Sequence, residues 1–116
     1  MTKRNEQANH LIQEVIGGII SREIELPSSV VIAITKVDTA PNLKQAKIWI
    51  AITPEEETGK AYGILRKNIK MLQQELSDKL GMQFSPKIQF RVDKGASALE
   101  EVENLLREIK KEDDDK

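Results

Sequence analysis

No cysteine occurs in the sequence, and His10 is its only histidine. The first absence removes disulfide frameworks, thiolate metal sites and cysteine nucleophiles together. It also suits a reducing compartment, and a cytoplasmic protein is expected. The second absence leaves no histidine pair to hold a metal. Aromatic residues are scarce, with Trp49, Tyr62, Phe84 and Phe90 making up the whole set. No apolar run approaches the roughly 20 residues of a membrane-spanning helix. The charged start, Met1 to Gln7, is not followed by a signal-peptide core and cleavage pattern. Glycine loops of the Walker or dinucleotide-binding type are missing, and the acidic run Glu112 to Asp115 lacks the spacing of a calcium-binding loop. These absences exclude most catalytic designs, so no catalytic residue, metal, cofactor or small-molecule substrate is expected. His10 falls near the apolar side of the first helical pattern, where a partly buried structural role is expected of it.

Charge is plentiful but unevenly placed. The formal net charge is -1, yet residues 1–59 carry 6 basic and 8 acidic side chains, residues 60–91 carry 7 and 2, and residues 92–116 carry 5 and 9. A local positive field steers polyanions within about 8 Å at physiological salt, whatever the total charge. The basic middle is therefore compatible with a one-sided contact to RNA, or with an acidic protein partner.

Hydrophobic periodicity divides the chain into seven elements. Ala8, Leu11, Ile12, Val15, Ile16, Ile19 and Ile20 form one stripe of a helix from Asn5 to Ile20, with Thr2 as a candidate cap. Gly17 and Gly18 inside it suggest close backbone packing or a weakened end. Val30 to Val37 is β-branched and reads as a buried strand. Asp38 to Leu43 holds a Pro-Asn turn, and Lys44 to Ile52 alternates, which predicts an antiparallel hairpin. Thr53 and Pro54 then look like a cap and first helical residue, with Glu55, Glu56 and Glu57 suited to the positive helix end. The helical pattern runs through Ala61, Leu65, Ile69, Leu72, Leu76 and Leu80 to a C-cap at Gly81. At about 27 residues it is long against the average of about 11–12, which suggests two helices or a kink. Lys87 to Val92 alternates as a third strand. Leu99, Val102, Leu105, Leu106 and Ile109 predict a last helix. A single domain of residues 1–110 with a flexible charged tail, 111–116, is expected.

At 100° per residue, Lys60, Gly63, Lys67, Lys70 and Gln74 line up opposite the apolar stripe, with Arg66 at their flank. Such a face can meet several phosphates with little sequence information. The scarcity of aromatics argues against a reader that stacks successive bases and favours contact with folded RNA.

Three stretches carry a resemblance over nearly the whole chain. Lys3-Arg4-Asn5-Glu6-Gln7-Ala8 leads into Leu11-Ile12-Gln13; Asn42-Leu43-Lys44-Gln45-Ala46-Lys47-Ile48-Trp49-Ile50 and Pro86-Lys87-Ile88-Gln89-Phe90-Arg91-Val92-Asp93 follow. In this order and spacing they resemble the bacterial ribosome-binding factor A family. Gln7 stands where that family often has arginine, Asn42 where it has aspartate and Trp49 where it has tyrosine. The resemblance implies an α+β, type II KH-like fold, α-β-β-α-α-β-α. Its three-stranded sheet is packed by helices, with a helix-kink-helix in place of the KH glycine loop. It further implies binding to the immature small ribosomal subunit and its rRNA, and a part in late maturation, including in the cold. Two places fit the family's kink. Ala61-Tyr62-Gly63 spells its usual motif, whereas the spacing back from Pro86 favours Asn68-Ile69-Lys70, where Asn68 can bond its own backbone. The candidate RNA-binding residues are Lys60, Arg66, Lys67, Asn68, Lys70 and Gln74, with Lys87, Arg91, Lys3 and Arg4 as additions. A monomer off the ribosome is expected.

Overall fold

The computed structural model describes residues 3–81, 85–94 and 106–107. Helix α1 spans Lys3–Glu23, strand β1 Val31–Thr39 and strand β2 Gln45–Thr53. A short 3-10 turn at Glu55–Glu57 precedes helix α2, Thr58–Lys67. Helix α3, Ile69–Leu80, and strand β3, Lys87–Val92, complete the described elements. This is the expected α+β arrangement, with the third strand at its predicted bounds. Of the expected last helix only Leu106 and Arg107 are described, both helical and exposed; the rest of it, the tail and the candidate cap Thr2 lie outside the described residues.

The sheet order is β1-β2-β3, antiparallel between β1 and β2 and parallel between β2 and β3. The parallel step needs a long crossover, and α2 with α3 supplies it. Alternation puts Ala46, Ile48, Ile50 and Ile52 of β2 on one face, joined there by Ile88 and Phe90 of β3. That face meets Ile12, Ile16, Ile19 and Ile20 of α1, Ala61 and Leu65 of α2, and Leu72 and Leu76 of α3 in one buried cluster. All the described helices therefore contribute to the same side of the sheet. On the other side Ala33 and Ala51 form a separate small cluster with Val31, which no described helical residue joins.

Several local expectations change. The hairpin turn is tighter than Asp38 to Leu43, because Asp38 and Thr39 still pair with Lys47 and Ala46. Leu43 takes a positive φ of 60° there, and burial of its side chain offsets the steric cost. Thr53 does not cap a helix: it remains in β2, paired with Val31. The Thr53–Pro54 peptide is cis, and α2 begins only at Thr58. Neither Gly17 nor Gly18 marks a close approach, since an added Cβ at Gly18 would meet nothing within 4 Å and one at Gly17 would make an ordinary 3.8 Å contact with Ile34. Gly81 does close α3, at φ 77°. His10 is exposed, not partly buried, because it lies about 200° around α1 from Ile12, outside the stripe that sinks into the core.

Candidate nucleic-acid interface

Between β2 and β3 the chain makes two helices, not one, and Asn68 is the break. Its backbone sits at φ -103° and ψ 14°, outside helical geometry. The Asn68 amide N–H is shared between the Ile64 and Leu65 carbonyls at 3.2 Å each, while its side-chain Nδ2 donates to the Ile64 carbonyl at 2.8 Å. A short amide side chain competes here with the backbone ladder. The break thus falls at the position favoured by the spacing from Pro86. Gly63, the other possibility, lies inside α2 with open space around it.

The two helices are held from below and left bare above. Leu65, Leu72 and Leu76 are fully buried. Tyr62 donates from its hydroxyl to the Phe90 carbonyl at 3.1 Å, tying α2 to β3. Gln73 clasps the start of β3 with both ends of its amide: Nε2 donates to the Pro86 carbonyl and Oε1 accepts from the Ile88 N–H, each at 2.9 Å. Above this support Lys60, Arg66, Lys67, Lys70 and Gln74 are all exposed, with Asn68 half-buried among them. The Arg66 guanidinium lies 6.0 Å from the centre of the Tyr62 ring, within cation-π range. Gln74 donates to Asp78 at 3.0 Å, so its amide is partly engaged along α3. The outer face of the pair is a rigidly mounted cationic surface interrupted by one kink. Such a surface can hold phosphates by charge and direct hydrogen bonds, and it contains no nucleophile or base set against a partner.

The remaining candidates lie elsewhere. Lys87 and Arg91 alternate away from Ile88 and Phe90, so they project from the sheet face that the described helices leave uncovered. Lys3 and Arg4 are exposed at the start of α1, next to buried Asn5. Asn5 Nδ2 donates to the Thr39 and Ala40 carbonyls at 3.3 and 2.9 Å, and Asn9 Oδ1 accepts from both the Thr39 N–H and its hydroxyl. This docks the amino-terminal turn on the β1–β2 connection. Sequence reasoning missed Asn5, Asn9 and Gln73 as fastening residues. Their partners, the Thr39 hydroxyl apart, are backbone groups, which leave no trace in side-chain patterns.

The sequence model of the family described as Ribosome-binding factor A matches residues 4–106. A ribosome-binding factor A of Carboxydothermus hydrogenoformans is 32% identical over 110 residues, covering 90% of this chain and 88% of its own. That of Akkermansia muciniphila is 26% identical over 111 residues, covering 96% and 88%. Among solved structures, the crystal structure of ribosome-binding factor A from Thermus thermophilus superposes with a TM-score of 0.65 at 16% identity, over 76% of this chain and 94% of that one. A homology model of the Thermus thermophilus factor, fitted into a cryo-electron microscopy map of its complex with 30S, superposes with a TM-score of 0.61 at 17% identity, over 84% and 100%.

Proposed function

This chain belongs to the ribosome-binding factor A family, and from that premise we propose that it is an assembly factor for the small ribosomal subunit that grips rRNA with the outer face of α2 and α3. The observation that carries the proposal is the exposed row Lys60, Arg66, Lys67 and Lys70 around the Asn68 kink, backed by fully buried leucines. Cations fixed on a packed scaffold bind phosphates without paying for ordering of the backbone beneath them. The type II KH-like assignment gives the kink the place of a KH glycine loop, with Asn68 and its neighbours against the RNA backbone. Partner choice follows the Thermus thermophilus relative and its 30S complex.

The mechanism is occupancy without turnover. Bound to the immature subunit, the protein holds one rRNA conformation or blocks premature joining until late maturation is complete. Cold growth, which stabilises misfolded RNA, is the condition in which the need is greatest. Off the ribosome the protein is a single-domain cytoplasmic monomer.

Co-sedimentation of the purified chain with small subunits at rising salt tests the reading. Affinity should fall linearly in log–log form, with a slope that counts the phosphates contacted. Binding indifferent to salt overturns it and leaves an apolar protein surface as the contact.

A further inference from the structure

The face of the sheet away from the described helices carries a second constellation that the α2–α3 surface does not use. Alternation places Gln45, Lys47, Trp49 and Ala51 of β2 on that face. Trp49 stands opposite Lys36 of β1 on one side and Arg91 of β3 on the other. One pair along, Lys47 stands between Asp38 and Gln89, and Gln45 stands beside Lys87. Lys36, Lys47, Lys87 and Arg91 are all exposed, and Trp49 is half-buried. Among the described residues none of the four cations is held in an ion pair; Arg91 makes only a long 3.4 Å bond to Gln89. Two carboxylates share the face, Asp38 opposite Lys47 and Asp93 at the end of β3.

The arrangement is also stiff. The extra residue of the β1 bulge, Thr35, donates from its hydroxyl to Asp93 Oδ2 at 2.8 Å, so the end of β3 is tied to β1 across the central strand. Ala51, the next residue of β2 on this face, pairs with Ala33 of β1, and both side chains are small and buried.

We propose that this sheet face, which no described helix covers, is a second RNA contact, on which one unpaired base stacks on Trp49 while Lys36, Lys47, Lys87 and Arg91 hold the flanking phosphates. The chemistry is that of a sheet-borne single-strand site, with an aromatic on the central strand and cations on either side. One tryptophan supports one base, so the face adds to the α2–α3 contact instead of replacing it. Charge complementarity selects the occupant: four cations outnumber two carboxylates, one of which Thr35 already holds, and this suits a polyanion, while the indole suits a base. The identification of the polyanion as RNA rests on the function proposed above.

Trp49 is the only tryptophan of the chain, so its fluorescence reports this face and no other. Titrating the full chain with a short unstructured oligouridine should quench that fluorescence saturably. A Lys47→Glu/Arg91→Glu variant keeps the reporter and should bind at least ten-fold more weakly. Trp49→Ala, followed by fluorescence anisotropy of labelled oligonucleotide, should lose roughly ten-fold, the scale of one stack, and Trp49→Phe should recover most of it. Three results overturn the proposal. They are no quenching, quenching that survives the Lys47/Arg91 reversal, or an indole already shielded from iodide in the free protein, which would mean that another segment covers the face. Small-subunit binding separates this failure from that of the main reading. If wild-type and Trp49→Ala proteins bind subunits equally, the sheet-face contact alone is wrong. If oligouridine quenches but the wild-type chain binds no subunits, the assembly-factor reading alone is wrong.

Discussion

The side-chain amide of Asn68 donates to the Ile64 carbonyl at 2.8 Å, so the residue that parts α2 from α3 is also fastened to the last turn of α2. On the far side the Asn68 carbonyl accepts from the Leu72 N–H at 3.0 Å. One residue thus closes one helix and opens the next, with no glycine or alanine at the break. The bend sets α2 against β2 and β3 while α3 lies against α1.

Asn68→Ala removes the competing amide and installs the best helix former. The ladder should close through the break, raising helical circular dichroism slightly while changing stability by no more than about 1 kcal/mol. Small-subunit affinity should fall several-fold because Lys67 and Lys70 no longer face the phosphates in the same geometry. Unchanged affinity would show that the kink is scaffolding and not part of the contact.

The double variant Lys67→Glu/Lys70→Glu separates charge from fold. Both side chains are exposed, so urea midpoints should shift by about 0.5 kcal/mol or less. Binding to small subunits should drop steeply, and the salt slope should shrink by about two contacts, roughly 0.7 to 0.9 each. Loss of folding in this variant would reassign the stripe to structure.

Gln73 works on the opposite balance. Replacing it with alanine strands the Pro86 carbonyl and the Ile88 N–H together, and stability should fall by about 1–3 kcal/mol. Gln73→Glu keeps the acceptor for Ile88 but loses the donor to Pro86, so its urea midpoint should lie between those of wild type and alanine. Equal loss in both variants would show that the Pro86 bond alone matters.

Much of this was legible before any coordinates. A β-branched run marked the first strand and alternation the other two, and apolar spacing marked Leu65, Leu72 and Leu76 as core because burial follows periodicity directly. The cationic stripe was readable for the same reason, as the complement of that core. The position of the break was readable only through a spacing to Pro86 combined with the chemistry of asparagine. Three things were hidden. Thr53 has the chemistry of a cap, yet pairing with Val31 holds it in β2, a tertiary competition that local propensity does not encode. His10 lies two residues from buried Ile12, and only helix phase decides that it faces water. Lys87 and Arg91 look like one basic segment with Lys67 and Lys70, but a strand's period of two turns them to the opposite side of the sheet.

The docking of α1 gives the most demanding test of the packing, because Asn5 and Asn9 lie one helical turn apart and both reach Thr39. Asn5 is 4% exposed and donates to the Thr39 and Ala40 carbonyls, while Asn9 accepts from the Thr39 N–H and hydroxyl. Either alanine substitution leaves buried backbone groups short of a partner and should cost about 1–3 kcal/mol in urea unfolding. The pair should not add. Once one asparagine is gone, the hairpin turn can shift from α1, and the second loses part of what it held. A double-mutant cycle should return a coupling of at least about 0.5 kcal/mol. Additivity within about 0.3 kcal/mol would mean that the turn stays rigid on its own and that α1 merely rests against it.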